Sequence, residues 1–260
     1  MIKLSLVLSL IFCSLIVQAQ VRVSKLVVRP SETYVMDSTD IIVADTLIMM
    51  DSSVIRLNGL KPDNFIRTKV AIFGKHCLID GRGIKGNKGT EGAHGITPVG
   101  PCKDGLPGRN GLRGLTGGPG VNLFLYVDHI EVKGQLIIDI SGGSGGDGGN
   151  GGHGGGGSSG TQHCYGGDGG DGGNGGAGGD GGRGGVLTVG GLDAMVTKAL
   201  LGNLILVKNH GGAFGYGGVR GSGGLPGLGP GRKHGRPGQN GKDGLYGRPG
   251  DGGAIRFQEP

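Results

Sequence analysis

One stretch, residues 142–184, constrains the fold more than any other. It reads GGSGGDGGNGGHGGGGSSG, then TQHCY, then GGDGGDGGNGGAGGDGGRG. On both sides of 161–165 glycine falls at every third position, and the residue after it is nearly always glycine too. Glycine in an element's interior weakens helix and strand alike. A period of three fits polyproline-II geometry instead, with three residues per turn and a rise of about 3.1 Å. Such a helix has no internal hydrogen bonds, so its backbone groups must find partners outside it. Two glycine faces and one decorated face suit a helix with neighbours on both sides.

Two further stretches repeat the arrangement with less glycine. The triplet runs over 83–95, breaks at 96–104 and resumes over 105–120. It runs again over 212–227, breaks at 228–234 and resumes over 235–253. The chain thus carries paired triplet runs joined by short irregular loops, which predict three antiparallel hairpins of polyglycine-II helix stacked as a six-helix bundle. The middle hairpin is expected between the first and the third. Charge follows that order. The first hairpin carries Arg82, Lys85, Lys88, Lys103, Arg109 and Arg113 against Glu91 and Asp104. The middle carries Asp147, Asp168, Asp171 and Asp180 against Arg183, and the third is basic again. Either the rows attract one another across the stack or they simply solvate a glycine surface.

Residues 1–19 read as a secretory signal peptide: Lys3, an apolar core over 4–17, and the small-residue site Val17-Gln18-Ala19. No other apolar run approaches the roughly 20 residues of a membrane span. The expected location is therefore extracellular or at the cell surface, with the periplasm as the alternative. Glycine supplies 66 of the 260 residues and aromatics 4%, which leaves little for an ordinary core. The formal charge of +6 is spread along the hairpins rather than clustered with aromatic residues, so no nucleic-acid partner is expected. Beyond the leader the cysteines are Cys77, Cys102 and Cys164. Cys102 and Cys164 both lie in loops at hairpin tips and are expected to form a disulfide.

The remainder is short runs rich in valine and isoleucine, at 25–28, 41–43, 46–49, 54–57 and 70–73, punctuated by Asp, Ser, Asn and Gly. Each hairpin is entered from an apolar strand and left into another: 121–127 reads VNLFLYV, 186–189 VLTV and 254–257 AIRF. These segments behave as degenerate repeats. The expected fold class is all-β, a parallel β-solenoid whose successive coils each send out one glycine hairpin at the same corner. The expected domains are solenoid coils over 20–80, then hairpins at 81–120, 142–185 and 211–253, alternating with strands at 121–141, 186–210 and 254–258. Residues 192–201 (LDAMVTKALL) have the spacing of a short amphipathic helix.

Cys77-Leu78-Ile79-Asp80-Gly81-Arg82-Gly83 resembles the IDGxG coil of pectin-lyase-like right-handed β-helices. The paired triplet runs over 81–253 resemble polyglycine-II bundles, as in glycine-rich antifreeze proteins and the tips of bacteriophage tail-fibre adhesins. In those adhesins the loops between glycine runs carry receptor specificity. The resemblance implies the same for 96–104, 161–165 and 228–234. The binding candidates are Thr97, Pro98, Lys103, Gln162, His163, Tyr165, Arg232, Lys233 and His234.

Other motif matches are products of abundant glycine. The G-x-G-x-x-G at 81–86 is followed by further triplets, not by the helix a dinucleotide needs. The G-x-S-x-G at 142–146 lacks a strand–turn–helix setting. Decorated positions on one run lie about 9 Å apart at polyproline-II rise. That spacing is too wide for one run to chelate calcium, which takes oxygens at about 2.3–2.6 Å. No metal, cofactor or enzymatic activity is expected. The expected function is a secreted or cell-surface binding or adhesion protein that uses the hairpin tips. Lys103, Arg232 and Lys233 with Tyr165 favour a surface glycan or an acidic protein patch. The alternatives are a structural or collagen-like matrix protein, an ice-binding protein and a β-helical carbohydrate-active enzyme. Collagen needs unbroken GXY, whereas no run here exceeds seven triplet glycines. Monomeric and self-associating states are both compatible with the sequence.

Overall fold

The computed structural model describes residues 21–36 and 39–258. The expected signal peptide, 1–19, lies outside the described residues. Two parallel sheets face each other. The six-stranded sheet runs β1 (Val21–Val28), β3 (Ile41–Met49), β5 (Asp63–Phe73), β7 (Asn122–Val132), β9 (Leu187–Gly190) and β11 (Ile255–Phe257). The five-stranded sheet runs β2 (Thr33–Val35), β4 (Val54–Arg56), β6 (Cys77–Asp80), β8 (Leu136–Asp139) and β10 (Ile205–Lys208). Consecutive strands alternate between the sheets, and each strand pairs with the one two places on. That is a parallel β-solenoid.

Alternating burial along β3, β5 and β7, shifted by one residue midway in each, builds most of the core. In β3 the buried set is Ile42, Ala44, Leu47 and Met49; in β5 it is Asn64, Ile66, Thr68, Ala71 and Phe73. Parallel register stacks like on like. Ile42, Ile66, Leu125 and Val189 form one column of the large sheet, and Ile55, Ile79 and Ile138 one of the small. Each fully buried aliphatic side chain contributes roughly 1.5–3 kcal/mol. The expected breaks differ from the observed ones in several places: β1 begins at 21 rather than 25, β5 at 63 rather than 70, and β7 runs on to 132. The runs 41–43 and 46–49 are one strand, because the parallel pairing resumes in the same register on both sides of the exposed Asp45. The structure also adds β2, whose three residues pair with β4. The expected helix is α1 (Ala194–Leu200), with Ala194 and Thr197 buried.

The glycine segments leave from one corner. Each departs after a strand of the small sheet (β6, β8, β10) and returns to the large sheet as β7, β9 or β11. The corner is polar: Arg56, Asp80, Asp139 and Lys208 are in register. Arg82 forks onto Asp80 with bonds of 2.9 and 3.0 Å, and Asp139 accepts the Ser141 hydroxyl at 2.6 Å. Burial pushes the Asp80 carboxyl up, but the Arg82 hydrogen bonds and the Arg82 and Arg56 charges outweigh it and hold the carboxyl below its usual range.

Backbone hydrogen bonds then link the outgoing and returning runs at every third residue. Within the first segment Arg109, Leu112 and Leu115 donate to the carbonyls of Ala93, Thr90 and Asn87. Gly86, Gly89 and Gly92 donate to Ser144, Asp147 and Asn150 of the middle segment. Gly145, Gly148 and Gly151 of the middle segment donate in turn to Ala213, Tyr216 and Val219 of the third. The middle segment therefore lies between the other two, with all these partners inside one chain. Close approach is what demands glycine: a Cβ on Gly149 would meet the Thr90 carbonyl, and one on Gly173 the Arg109 carbonyl. Proline sits where it costs no bond. Pro107 and Pro119 share a row with Asn110, Arg113 and Thr116, whose N–H groups have no backbone acceptor among the described residues.

Candidate functional site

The three loops that interrupt the triplets come together at the end away from the solenoid. Cys102 and Cys164 form a disulfide between the first two, with Cα atoms 6.1 Å apart. Gly100 (φ +100°) and Cys102 (φ +63°) take left-handed conformations that turn the first loop back toward the second. The Cys102 N–H donates to the Ser159 carbonyl at 2.9 Å, and the Ser158 hydroxyl donates to the Pro98 carbonyl at 2.7 Å. Thr97 Oγ1 accepts the Gly156 N–H at 2.8 Å. In the third loop Gly231 and Arg232 are also left-handed, at φ +60° and +67°. The Lys233 ammonium donates to the Gln162 carbonyl at 3.0 Å and lies 5.8 Å from the centroid of the Tyr165 ring. His234 Nδ1 accepts the Gly229 N–H at 3.1 Å.

These contacts sort the residues singled out from the sequence. Thr97, Pro98 and His234 act as struts within the tips. Lys233 ties the third tip to the second. Lys103, Gln162, His163, Tyr165 and Arg232 have exposed side chains. Sequence reasoning missed the apolar members of the same surface, Val99 at 91% exposed and Leu228 at 68%. A hydrophobic residue inside a loop was the available signal. Cys77 is a separate matter: its thiol is buried at the solenoid end beside Ser53, and burial raises its pKa.

The decorated rows have a structural role that neither charge reading captured. Asp168, Asp171, Asn174 and Asp180 each turn Oδ1 onto a backbone N–H of the third segment, those of Arg236, Gln239, Lys242 and Arg248, at 2.6–2.8 Å. On the opposite broad face Asp147 and Asn150 accept the N–H groups of Tyr216 and Val219. His94 Nδ1 accepts from His153 N–H, and His153 Nδ1 accepts from Ser222 N–H, with the two rings stacked 4.9 Å apart. Ion pairs between rows are sparse by comparison: Arg113 reaches Asp180 at 2.9 Å. The Asp carboxylates are thus occupied as acceptors for amides that point along the surface. The described residues hold no group of three or more His, Cys, Asp or Glu placed to bind a metal ion. They also hold no helix long and apolar enough to cross a membrane.

No protein-family model matches the chain, and no curated protein matches it. Among solved structures, a nine polyproline type II helical bundle antifreeze protein from the springtail Granisotoma rainieri aligns at 27% identity. The alignment covers 56% of this chain and 94% of that one, with a TM-score of 0.12. A score that low carries no argument about fold or function.

Proposed function

We propose that this chain is an exported, non-enzymatic binding protein in which six polyglycine-II helices hold three tip loops as one recognition surface. The observation that carries the reading is the Cys102–Cys164 disulfide, which ties two of the tips together where the repeat is abandoned. A disulfide fits an oxidising compartment, in line with the leader-like 1–19. The period-three ladder of glycine N–H donors supports the polyglycine-II assignment, since that helix satisfies its backbone only through neighbours. Loops on a rigid scaffold are favoured recognition sites. The exposed Lys103 and Arg232, with the Tyr165 ring between the tips, suit an anionic or hydroxylated partner such as a surface glycan or an acidic protein patch.

Heparin and dextran sulfate serve as anionic probes, with dextran as the uncharged control. Replacing the three loops by Gly-Ser linkers while keeping Cys102 and Cys164 should weaken retention on the anionic matrices. Arg236→Gln with Lys242→Gln, on a broad face, should leave it intact. Unchanged retention after loop replacement, with the fold preserved, would move recognition away from the tips.

A further inference from the structure

The outer end of the first hairpin carries an apolar strip of a kind absent from the middle hairpin. Ile84 and Ile96 on the outgoing run are 77% and 65% exposed; Leu106, Leu112 and Leu115 on the returning run are 53%, 61% and 60% exposed. Their placement follows from the three faces of each run. On the outgoing run one face is glycine donating to the middle segment, and the next holds His94 and Thr97, which accept middle-segment N–H groups. Ile84 and Ile96 occupy the remaining face. On the returning run one face is again glycine, and the next holds Asp104 and Asn110, which accept the Asp168 and Asn174 N–H groups. The leucines take the remaining face. The two faces adjoin, because a Cβ on Gly118, which continues the leucine row, would rest 3.0 Å from the Ile84 nitrogen. Leu106 also donates to the Ile96 carbonyl at 3.0 Å. Twelve residues separate Ile84 from Ile96, a span of about 37 Å at polyproline-II rise.

The opposite end of the stack is finished differently. There Asp243 and Asn240 turn back to accept the Arg220 and Gly223 N–H groups of their own hairpin at 2.9 Å. That end also exposes aromatic rings, Phe214, Tyr216 and Tyr246, clustered with centroids 5.7–6.0 Å apart; the first end instead has aliphatic side chains with cations around them. Arg109 stands in the leucine row, Lys85 follows Ile84, and Lys88 and Arg113 lie on the flanking faces, paired with Glu91 and Asp180. Asn87, Thr90 and Ala93 stand between Ile84 and Ile96, and Arg109 between Leu106 and Leu112, so the aliphatic groups are set among polar ones, with Leu112 and Leu115 as neighbours in one row. Exposed apolar groups rimmed by polar residues mark interaction sites. Aliphatic residues ringed by lysine and arginine suit an anionic lipid surface, where the apolar groups enter the headgroup boundary and the cations meet phosphates. A second copy of this chain would instead bring the same cations face to face.

We propose that this strip seats the first hairpin flat on an anionic bilayer surface, leaving the tips and the rest of the stack in water. The site is distinct from the tip loops, so each proposal can fail alone.

The chain beginning at Gln20 contains every described element and omits the apolar leader, which would itself partition into lipid. It should co-sediment with vesicles of mixed phosphatidylglycerol and phosphatidylcholine but not with phosphatidylcholine alone. Binding should weaken as salt rises. Leu112→Asp with Leu115→Asp should lower it by about tenfold or more, with Cys102 and Cys164 still joined as a check on the fold. Lys85→Gln with Arg109→Gln keeps every aliphatic group and should weaken binding too, which serves if the aspartate variant does not fold. Replacing the tip loops should change nothing. Failure to bind the anionic vesicles would overturn the proposal, as would binding by both substituted forms equal to that of the unsubstituted chain. A dimer in solution that Leu112→Asp with Leu115→Asp dissolves would assign the strip to a second copy and overturn it as well.

Discussion

Asp180 receives the Arg248 N–H on Oδ1 at 2.7 Å and the Arg113 guanidinium on Oδ2 at 2.9 Å. The backbone bond from Arg248 is the main cause holding its carboxyl below the usual range; slight desolvation opposes this, and Arg113 adds to it. A carboxyl lowered on folding stabilises the native state above its unfolded pKa, and that contribution is lost as pH falls through the folded one. Acid should therefore loosen the Arg248 amide before the neutral-capped Lys242 amide, whose acceptor is Asn174 and cannot titrate. Amide exchange followed from about pH 6 to about pH 3, after correction for intrinsic rates, checks this. Asp180→Asn keeps an oxygen on the Arg248 N–H and should flatten the pH dependence at that amide. The same acid response in the asparagine variant would mean that Arg248 opens for another reason. The choice of Asp or Asn at most of these positions, rather than Ser or Lys, thus follows from the need for a short side chain whose oxygen reaches a neighbouring run.

At the scale of one run, the glycine faces and the decorated face differ sharply in what they tolerate. Gly149→Val and Gly173→Val place side chains against the Thr90 and Arg109 carbonyls, and backbone cannot yield as a flexible side chain can. Arg109→Val and Lys242→Val alter exposed side chains. Thermal unfolding should show the glycine variants destabilised by several kcal/mol or unfolded, and the surface variants within about 0.5 kcal/mol of the parent. Equal tolerance at all four sites would contradict the packing. Much of this was legible in the chain. The glycine period marks the runs, its breaks mark the tips, and the flanking apolar segments mark the corner. The caps were not legible, because each joins residues far apart in sequence: Asn174 and Lys242 are 68 positions apart, Asp147 and Tyr216 69. Nor were the hydrogen bonds of Thr97 and His234 to the Gly156 and Gly229 amides, since a polar loop residue reads the same whether it faces a ligand or a neighbouring amide. The strand over 41–49 was split for a related reason: Asp45 reads as a turn until the parallel partners on both sides are known.

Across the whole molecule the solenoid and the glycine stack are stabilised by different means. The solenoid buries isoleucine, leucine and phenylalanine between two sheets. The stack buries almost no side chains and orders many glycines, each of which loses more backbone entropy than any other residue. Its hydrogen bonds are numerous, but each contributes a net of only about 0.5–1.5 kcal/mol, since the unfolded chain bonds to water instead. The tips lie far from the hydrophobic core, so the Cys102–Cys164 bridge, which spans 62 positions, closes the end that the solenoid does not hold. Disulfides typically contribute about 2–4 kcal/mol, and in the chain-entropy account a loop of that length falls at the upper end of the range. Cys102→Ser with Cys164→Ser should therefore unfold at lower denaturant, and the loss should appear first as faster exchange at Gly155, Ser158 and Gly167 near the tips. Amides deep in the solenoid, such as those of Ile66 and Leu125, should keep their protection until global unfolding. If the tips and the solenoid lost protection together, the two parts would be one cooperative unit, and the bridge would be stabilising the whole chain rather than its far end.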